Sequence, residues 1–180
     1  PMQIEDRPVK TVAQSRTEQI QILMPEHING YQRLFGGKLM EWIDVVAAVA
    51  ARRHSGCNVT TASVSQLEFT KAAYVNSTIV LKAQLTYVGT TSMEVRVDTF
   101  VEHLNGSQEM INRAYLVMVA LDENDNPVPV PMLRCETREE ELEWEAARRR
   151  RAFRKENKLH YVSIKKEKHR RTMEEELFNG

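Results

Sequence analysis

The sequence predicts an α+β fold, in which an antiparallel sheet wraps around one long central helix and a charged C-terminal helix follows. Three observations support this prediction. Residues 37–54 form one long segment that is apolar on most helical faces, four strand-like segments follow with no helix between them, and the last third of the chain is densely charged. A single helix before consecutive strands is typical of an antiparallel sheet wrapped on that helix, because the apolar face of the sheet needs a covering layer.

Length and composition are ordinary for a globular domain. The chain has 180 residues, 42% of them hydrophobic and 28% charged, which suggests one domain with an appendage. Lysine and arginine number 25, and aspartate and glutamate also number 25, so the formal net charge is zero. A neutral chain gives no support to bulk attraction by nucleic acid or an anionic membrane. We therefore expect neither among its partners.

The cysteines and histidines suggest no metal site. Cys57 and Cys135 lie far apart and fit no metal-ligand spacing, and the five histidines form no cluster. A reducing compartment, the cytoplasm, is the simplest interpretation. The first ten residues show no apolar leader, and the longest aliphatic run, Val45–Ala51, is far shorter than the roughly 20 residues of a membrane span.

The first third of the chain has weak signals for a terminus, a strand and a loop, and a strong signal for a helix. Residues 1–10 predict a loose terminus, apolar alternation within residues 15–24 predicts a strand, and a proline and a glycine predict a loop over residues 25–35. Residues 37–54 predict a buried helix, because few charges interrupt them. Arg52–His54 end this helix, where cations complement the negative end of the helix dipole.

Four strands are predicted after the helix, at residues 59–69, 78–88, 92–102 and 114–121. The third alternates apolar with charged residues, as a strand with two different faces does. The fourth is a continuous apolar run, which is expected of a central strand buried on both faces. The segment "DENDNP" that follows contains residues typical of turns.

The last third predicts a charged helix over residues 136–156, whose acidic residues come first and basic residues last, an order that complements the helix dipole. Its run "ARRRRAFRK" could form a basic patch for nucleic acid or one face of this helix. The preceding acidic run and the neutral chain favour the second interpretation. A solvated charged tail is predicted over residues 165–177.

Three sites within residues 28–44 could carry chemistry, and each also has a structural interpretation. Gly36 and Gly37 stand at a helix start, where free N–H groups can hold a developing oxyanion, or they form a tight turn into the helix. Asp44 either reaches the edge of a polar helix face or projects into a cleft as a base. Asn29 either positions a water or a carbonyl oxygen, or shapes its loop.

The spacing N-x6-GG-x6-D, with "LFGGKLMEWID", "TASVSQLEF" and "VGTTSMEVRV", resembles the hot-dog fold acyl-CoA thioesterases, in the acyl-CoA hydrolase branch that includes brain-type and bacterial broad-specificity enzymes. The resemblance covers residues 12–132. It implies a hot-dog thioesterase domain at residues 13–132, between an N-terminal extension at 1–12 and a charged helical tail at 133–180. It also implies hydrolysis of fatty acyl-CoA to fatty acid and coenzyme A. No cofactor is expected, because coenzyme A is part of the substrate and product.

The resemblance implies a role for each residue of the motif. Asp44 is the catalytic carboxylate, as a general base on water or as the nucleophile. The backbone N–H of Gly36 or Gly37 holds the thioester oxygen, and Asn29 orients water or substrate. These roles are expectations that the resemblance implies.

Substrate binding is implied at a second stretch. Gly89, Thr90, Thr91 and Ser92 match the stretch that lines the coenzyme A channel in the family. No motif identifies the residues that bind the 3′-phosphate of coenzyme A, but four cationic side chains are candidates. These candidates are Arg33, Arg52, Arg53 and Lys71.

The chain departs from the family pattern at three places. The family usually has glycine at the position of Gln32 and an acidic residue at the position of Ser65. Asn76-Ser77 replaces a usual Gly-Asp turn. Residues 128–131 keep the proline-bearing segment that follows the last strand in the family.

Two other functions on the same fold are an acyl-CoA hydratase and an acyl-CoA-binding regulator. An acyl-CoA hydratase needs an aspartate–histidine pair, and the stretch "YQRLFGG" that leads into the helix holds no histidine. An acyl-CoA-binding regulator that does not catalyse needs a DNA-binding module, and no helix-turn-helix pattern precedes residue 15. Hydrolysis therefore remains the leading interpretation.

The resemblance implies a homo-oligomer, with a dimer as the unit and a trimer of dimers as the assembly, a homohexamer. Helix geometry gives an independent reason to expect shared sites. Asp44 lies about two turns after Gly36 and Gly37, so roughly 10 to 12 Å separates them along the helix. One chain can hardly place both around a single thioester, whereas a twofold axis could.

Overall fold

The computed structural model describes residues 4–178, and the side chains of residues 5–65, 67–160, 162 and 163. Short 3-10 turns lie at Ile4–Asp6 and Pro25–His27, and no helix within residues 4–178 is long and apolar enough to cross a membrane. The elements in chain order are β1 Val9–Thr11, α1 Val12–Ser15, β2 Thr17–Ile22, α2 Gly36–Ser55, β3 Asn58–Phe69, β4 Thr78–Val88, β5 Ser92–Glu102, β6 Gln108–Leu121, β7 Met132–Arg134 and α3 Arg138–Phe178.

Strands β2 to β6 form one antiparallel sheet in the order β2-β4-β5-β6-β3. Helix α2 packs across one face of this sheet and contacts all five strands. This is the predicted α+β arrangement, one antiparallel sheet around one central helix. Because β6 pairs with β3 on its far side, β2 and β3 are the two edges of the sheet.

Helix α2 turns an apolar stripe toward the sheet. Leu39, Ile43, Ala47 and Ala50 are fully buried, at the spacing of three and four residues that keeps side chains on one helix face. The helix ends where Gly56 adopts a φ of 68°, a left-handed conformation that glycine tolerates without steric cost. The predicted helix is confirmed, with one further residue at each end.

The N-terminal residues are more ordered than predicted. Strand β1 pairs in parallel with β7, and the Arg7 side chain donates hydrogen bonds to the carbonyl oxygens of Gly89 and Val130 at 2.7 and 2.6 Å. The prediction of a loose terminus is therefore wrong for residues 7–10, because a three-residue parallel pair is too short to produce a periodic pattern. Residues 1–3 of that prediction lie outside the described residues.

Strand β5 occupies the middle of the sheet and is buried on both faces. Its charged residues, Glu94, Arg96 and Asp98, are between 3% and 9% exposed. The predicted central strand, residues 114–121, lies instead in β6, beside the edge strand, and β6 begins earlier, at Gln108. An apolar run identifies a buried strand, but it does not identify the neighbours of that strand.

Helix α3 buries the charged face of β5, and its first turn is well capped. The Thr137 hydroxyl accepts a hydrogen bond from the Glu140 N–H at 3.2 Å, and the Glu140 carboxylate accepts one from the Thr137 N–H at 3.3 Å. This reciprocal capping box satisfies donors at the helix start. One turn later the Trp144 ring packs on Tyr87 of β4, with ring centroids 4.3 Å apart.

Ion pairs continue the contact between α3 and the sheet. The buried carboxylate of Glu94 accepts hydrogen bonds from Arg150 at 2.7 Å, from Arg154 at 3.2 Å and from the Thr86 hydroxyl at 2.8 Å. Breaking such a buried pair leaves an uncompensated charge, so each partner depends on the other. The predicted charged C-terminal helix is confirmed, and part of its basic run binds the sheet.

His54 lies at the end of α2 and is 1% exposed. Its Nε2 lies 2.8 Å from the Pro131 carbonyl oxygen and donates to it, and its Nδ1 has no partner within the described residues. Burial is the main cause that lowers the pKa of His54, and Lys10 and Arg7 act in the same direction, whereas the Pro131 hydrogen bond opposes them. The prediction that His54 acts as a cation at the helix end is therefore wrong, because burial favours the neutral ring.

We expect the free energy of unfolding to decrease as the pH falls below about 6.5, the ordinary pKa of histidine. The unfolded chain gains a proton there that the buried His54 resists, so the stability present above pH 6.5 is lost as the pH falls toward the lower pKa of the folded state. Denaturant titration at several pH values measures the slope, whose limit for one proton is about 1.4 kcal/mol per pH unit. The His54→Gln variant can still donate to Pro131 but does not titrate, so its slope should be smaller; equal slopes would contradict the prediction.

Candidate active site

The start of α2 presents free donors. Phe35 precedes the helix and supplies no side-chain cap, and within the described residues the N–H groups of Gly36 and Gly37 have no acceptor. These N–H groups lie at the positive end of the helix dipole, which favours a negatively charged oxygen. A Cβ at residue 37 would approach the Phe35 ring to 2.7 Å, so glycine permits this close approach.

Asn29 shapes the loop before this helix. Its Oδ1 accepts hydrogen bonds from the backbone N–H groups of Tyr31 and Arg33 at 2.9 and 3.2 Å. Two backbone donors fix the amide oxygen on this side, so Nδ2 remains as a donor. Asn29 therefore stabilises the loop, and its side chain keeps an N–H group that could hold a carbonyl oxygen.

The loop contains a residue with unfavourable backbone geometry. Gln32 has a φ of 60°, in the left-handed region where glycine is the usual residue. The family carries glycine at this position, so the departure noted in the sequence has a direct conformational cost. Asn76 departs in the same way, with a φ of 70°, but asparagine tolerates this conformation better than most residues.

A cavity of about 280 Å³ lies beside the loop. Asn29, Arg33 and Lys71 line it, so the structure brings three of the predicted residues together. Lys71 also hydrogen-bonds to Glu109 and thereby lowers the pKa of that carboxyl group. The apolar part of the wall consists of Leu34, Leu39, Phe69, Ala72, Ala73 and Ile111.

Asp44 lies at the open edge of the sheet, beside β3. Its Oδ1 accepts a hydrogen bond from the Thr61 hydroxyl at 2.5 Å. Strand β3 departs from regular register between Thr61 and Ser63, and such bulges often re-aim side chains near active sites.

Thr61 was not among the residues predicted from the sequence, because threonine is an ordinary strand residue. The signal that could have found it is the group of small hydroxyl residues at positions 60, 61, 63 and 65, which is unusual for a strand beside an apolar helix.

Asp44 and the helix start occupy separate places on one chain. The eight residues from Gly36 to Asp44 span about 12 Å along α2. Asp44 is half-buried, and its neighbour Val45 is 51% exposed. Strand β3 pairs with β6 on one side only, and none of its described side chains is buried. The surface around Asp44 is therefore an unpaired strand edge with apolar residues, which is typical of a surface that another chain covers.

The turn at residues 89–92 forms a third place. Its ends are tied together by the Gly89 N–H, which donates to the Ser92 carbonyl at 2.8 Å. A Cβ at residue 89 would approach the Ser92 hydroxyl to 2.8 Å and the Arg151 guanidinium to 3.1 Å. The carbonyl oxygens of Thr90 and Thr91 accept hydrogen bonds from the backbone, the first from Val130. Both groups are the ends of flexible side chains, so glycine lets α3 and the turn approach closely, and a larger residue would displace these side chains.

The remaining candidates lie elsewhere. Arg52 and Arg53 are in the last turn of α2, about 24 Å from Gly36. The Arg53 side chain donates to the carbonyl oxygen of Arg16. Ser65 donates to the carbonyl oxygen of Tyr115 at 3.3 Å. Among the described side chains, no group of three or more His, Cys, Asp or Glu residues could hold a metal ion.

The sequence is similar to those of known thioesterases. The sequence pattern of the thioesterase superfamily matches residues 31–105. An uncharacterised acyl-CoA thioester hydrolase of Bacillus subtilis is 39% identical over 143 residues, which cover 79% of this chain and 83% of the relative. The chain spans about a quarter of the length of two mouse thioesterases that it also matches.

Solved structures of acyl-CoA hydrolases are similar to this chain. An acyl-CoA hydrolase of Staphylococcus aureus, in complex with butyryl coenzyme A and coenzyme A, superposes with a TM-score of 0.82 at 30% identity, covering 87% of this chain and 96% of that one. A hexameric acyl-CoA thioesterase superposes with a TM-score of 0.80 at 35% identity, covering 83% and 97%. Alanine variants of the Staphylococcus aureus enzyme at one asparagine, one aspartate and one threonine have also been solved.

We expect Gln32→Gly to raise the free energy of unfolding by about 0.5 to 1 kcal/mol. Glycine removes the cost of the left-handed conformation, about 1 to 2 kcal/mol, and adds back part of it as conformational entropy of the unfolded chain. Denaturant titration measures the change, and Gln32→Asn should give a smaller gain in the same direction. A loss of stability in both variants would contradict this account of the loop.

Proposed function

Since this chain belongs to the acyl-CoA thioester hydrolases of the thioesterase superfamily, we propose that it hydrolyses fatty acyl-CoA to the free fatty acid and coenzyme A, with Asp44 as the catalytic carboxylate. The superposed structures confirm the predicted hot-dog fold, and the chain is a thioester hydrolase. The observation that carries the assignment to Asp44 is its 2.5 Å hydrogen bond with Thr61 at the sheet edge.

The spacing of the residues supports this assignment. In the solved variants of the Staphylococcus aureus enzyme, the replaced aspartate follows the asparagine by 15 residues, and the threonine follows the aspartate by 17. Asn29, Asp44 and Thr61 have the same two separations here. The three residue types agree as well, so we assign all three to the site.

Each group has a distinct task in the proposed reaction. The free N–H groups at the start of α2 and the Nδ2 of Asn29 bind the thioester oxygen as negative charge develops on it. Asp44 acts either as a general base, taking a proton from the attacking water, or as the nucleophile, forming an acyl anhydride that water then hydrolyses. Coenzyme A leaves as the thiolate in both routes. The Thr61 hydroxyl holds the Asp44 carboxylate in one orientation.

Two chains are needed to assemble this site. A carbonyl group must lie about 3 Å from both its oxyanion donor and the attacking group, whereas Asp44 lies about 12 Å from Gly36 along one helix. Pairing of two chains along the exposed edge of β3 would set the helix start of one chain against the partner's Asp44. We propose a homohexamer built from such dimers, as the hexameric relative suggests.

The cavity beside Asn29 and the turn at 89–92 would receive other parts of the substrate. The coenzyme A channel would be lined by Gly89, Thr90, Thr91 and Ser92, as the resemblance implies. Arg33 and Lys71 would stand at the wall of the cavity beside Asn29. A cytoplasmic location agrees with the unpaired cysteines. A thiol-release assay across acyl-CoA chain lengths tests the function directly.

Asp44→Ala should remove most of the turnover with no loss of fold. The aspartate supplies the base or nucleophile, worth at least about 100-fold in rate, whereas its half-exposed position makes it dispensable for packing. Thr61→Val removes only the hydroxyl that orients the carboxylate, so its loss should be smaller, and Thr61→Ser should recover activity. Steady-state kinetics with a matched circular dichroism melt measures both effects. A kcat for Asp44→Ala within a few-fold of the parent would show the assignment to be wrong.

Mixing two inactive variants should restore activity. Asn29→Ala and Asp44→Asn are each expected to be nearly inactive. After refolding of an equal mixture, about half of the dimers contain both variants, and each mixed dimer has one intact site, so about a quarter of all sites should recover. If each site lay within one chain, every site would keep one defect, and the mixture would show only the average of the two variants.

A further inference from the structure

The face of α3 that packs on the sheet changes character along the helix. In its first turns this face carries Trp144 and Ala147, which pack against the sheet. Further along it carries four cations at the spacing i, i+3, i+4 and i+7, which keeps side chains on one helix face. These cations are Arg151, Arg154, Lys155 and Lys158. Arg151 and Arg154 are half-buried beside the sheet, whereas Lys155 and Lys158 are exposed, so the basic part of this helix face borders solvent.

The four cations line a cavity of about 260 Å³ between α3 and the ends of β4 and β5. Its other walls come from Tyr87, Ser92, Glu94 and Val117. The Arg151 side chain donates a hydrogen bond to the Tyr87 hydroxyl at 3.1 Å, so the guanidinium is held at the cavity wall. The cavity thus has positioned donors and not merely a charged surface.

The charges in this cavity are not balanced. Among the side chains that the structure describes, Glu94 is the one acidic residue of the wall, and its carboxylate already binds Arg150 and Arg154. Within the described side chains, no carboxylate lies at ion-pair distance from Arg151, Lys155 or Lys158. Three cations gathered at one cavity without counter-charges repel one another, and an anion bound among them would relieve that cost.

We propose that this cavity binds the phosphate groups of the coenzyme A part of the substrate, with Arg151, Lys155 and Lys158 as their ligands. Arginine and lysine are the side chains best suited to phosphate, through charge-assisted hydrogen bonds. The inference rests on the proposed function, because it names what holds the nucleotide end of the same substrate.

The position of the cavity agrees with this occupant. Thr61, which binds Asp44, pairs in register with Met118, and Met118 pairs with Met93, the residue that follows Ser92. Ser92 at the cavity wall is therefore two strands from the Asp44 row, about 10 Å across the sheet, and it lies on the face that α3 covers, opposite to the face that α2 covers. The pantetheine arm separates the thioester from the phosphates, so a phosphate site at a distance from the reacting carbon is what this substrate requires. The turn at 89–92 lies where the ligand would cross the end of the sheet.

The other candidate site is less suited to a phosphate. Lys71 is already paired with Glu109, which leaves Arg33 as the unpaired cation at that cavity wall, within the described side chains. A nucleic acid would need an extended basic surface, whereas the cations of α3 surround a small cavity beside the sheet. A small phosphorylated ligand fits these dimensions better.

The test compares two thioester substrates with the same acyl group, acyl-CoA and the phosphate-free acyl-N-acetylcysteamine. The double variant Lys155→Ala/Lys158→Ala should raise the KM for acyl-CoA about tenfold or more, as expected for the loss of charge-assisted bonds. Its kcat/KM for the phosphate-free substrate should stay within about twofold of the parent. The double variant Arg148→Ala/Arg149→Ala removes the same charge from the same helix outside the cavity and should leave both substrates unaffected. Calorimetry with coenzyme A should show a parallel loss of affinity in the first variant only.

Three results would overturn the proposal. An unchanged KM for acyl-CoA would show that the phosphates bind elsewhere. An equal loss with both substrates would show that the lysines act on the fold. Dissociation of the oligomer in the cavity variant, with unchanged coenzyme A affinity of the remaining assembly, would show that carboxylates of a neighbouring chain cover these cations. If the parent chain released thiol from neither substrate, the proposed function would fail, and the calorimetric comparison would still decide this inference.

Discussion

The packing of α2 on the sheet fixes the positions of Asp44 and of the free N–H groups at the helix start. Leu39, Ile43 and Ala47 must face the strands, and this sets the rotation of the helix about its axis. Asp44 follows Ile43 by about 100° around the helix, so it is directed toward the edge strand β3 and away from the core. The same packing holds the first turn of α2 at the surface, where its N–H groups stay free. One apolar stripe thus determines where the Asp44 carboxylate and the free N–H groups can be.

On the opposite face of the sheet, ion pairs supplement the apolar contact of Trp144 with Tyr87. Glu94 and Arg96 on β5 would be solvated in an open sheet, but α3 lies over them and supplies matching partners. Buried ion pairs of this kind contribute less to net stability than apolar packing, yet they penalise every misaligned arrangement. The ion pairs therefore set the register of α3 on the sheet. This register also brings the basic residues of the helix to one cavity.

Sequence patterns predicted the elements better than the relations between them. The helix over residues 37–54 and the four following strands were predicted because each is long enough to show its own period. Strand β1 was missed because three residues show no period, and the burial of His54 was missed because its environment comes from the distant Pro131. Thr61 was missed for the same reason, because its hydrogen bond with Asp44 exists only once β3 lies beside α2. The roles of Asn29, Gly36 and Asp44 came from the resemblance, and remain proposals.

The exposed edge of β3 has a consequence for how the chain behaves at different concentrations. None of the described side chains of β3 is buried, so its pairing with β6 and its contacts with α2 hold it less firmly than the inner strands are held. If a second chain completes its environment, the free energy of association adds to that of folding, and both follow the law of mass action. Dilution would then loosen β3 first, and Thr61 with it, while the core around α2 persisted. The specific activity of such a protein would fall on dilution before any loss of helical signal.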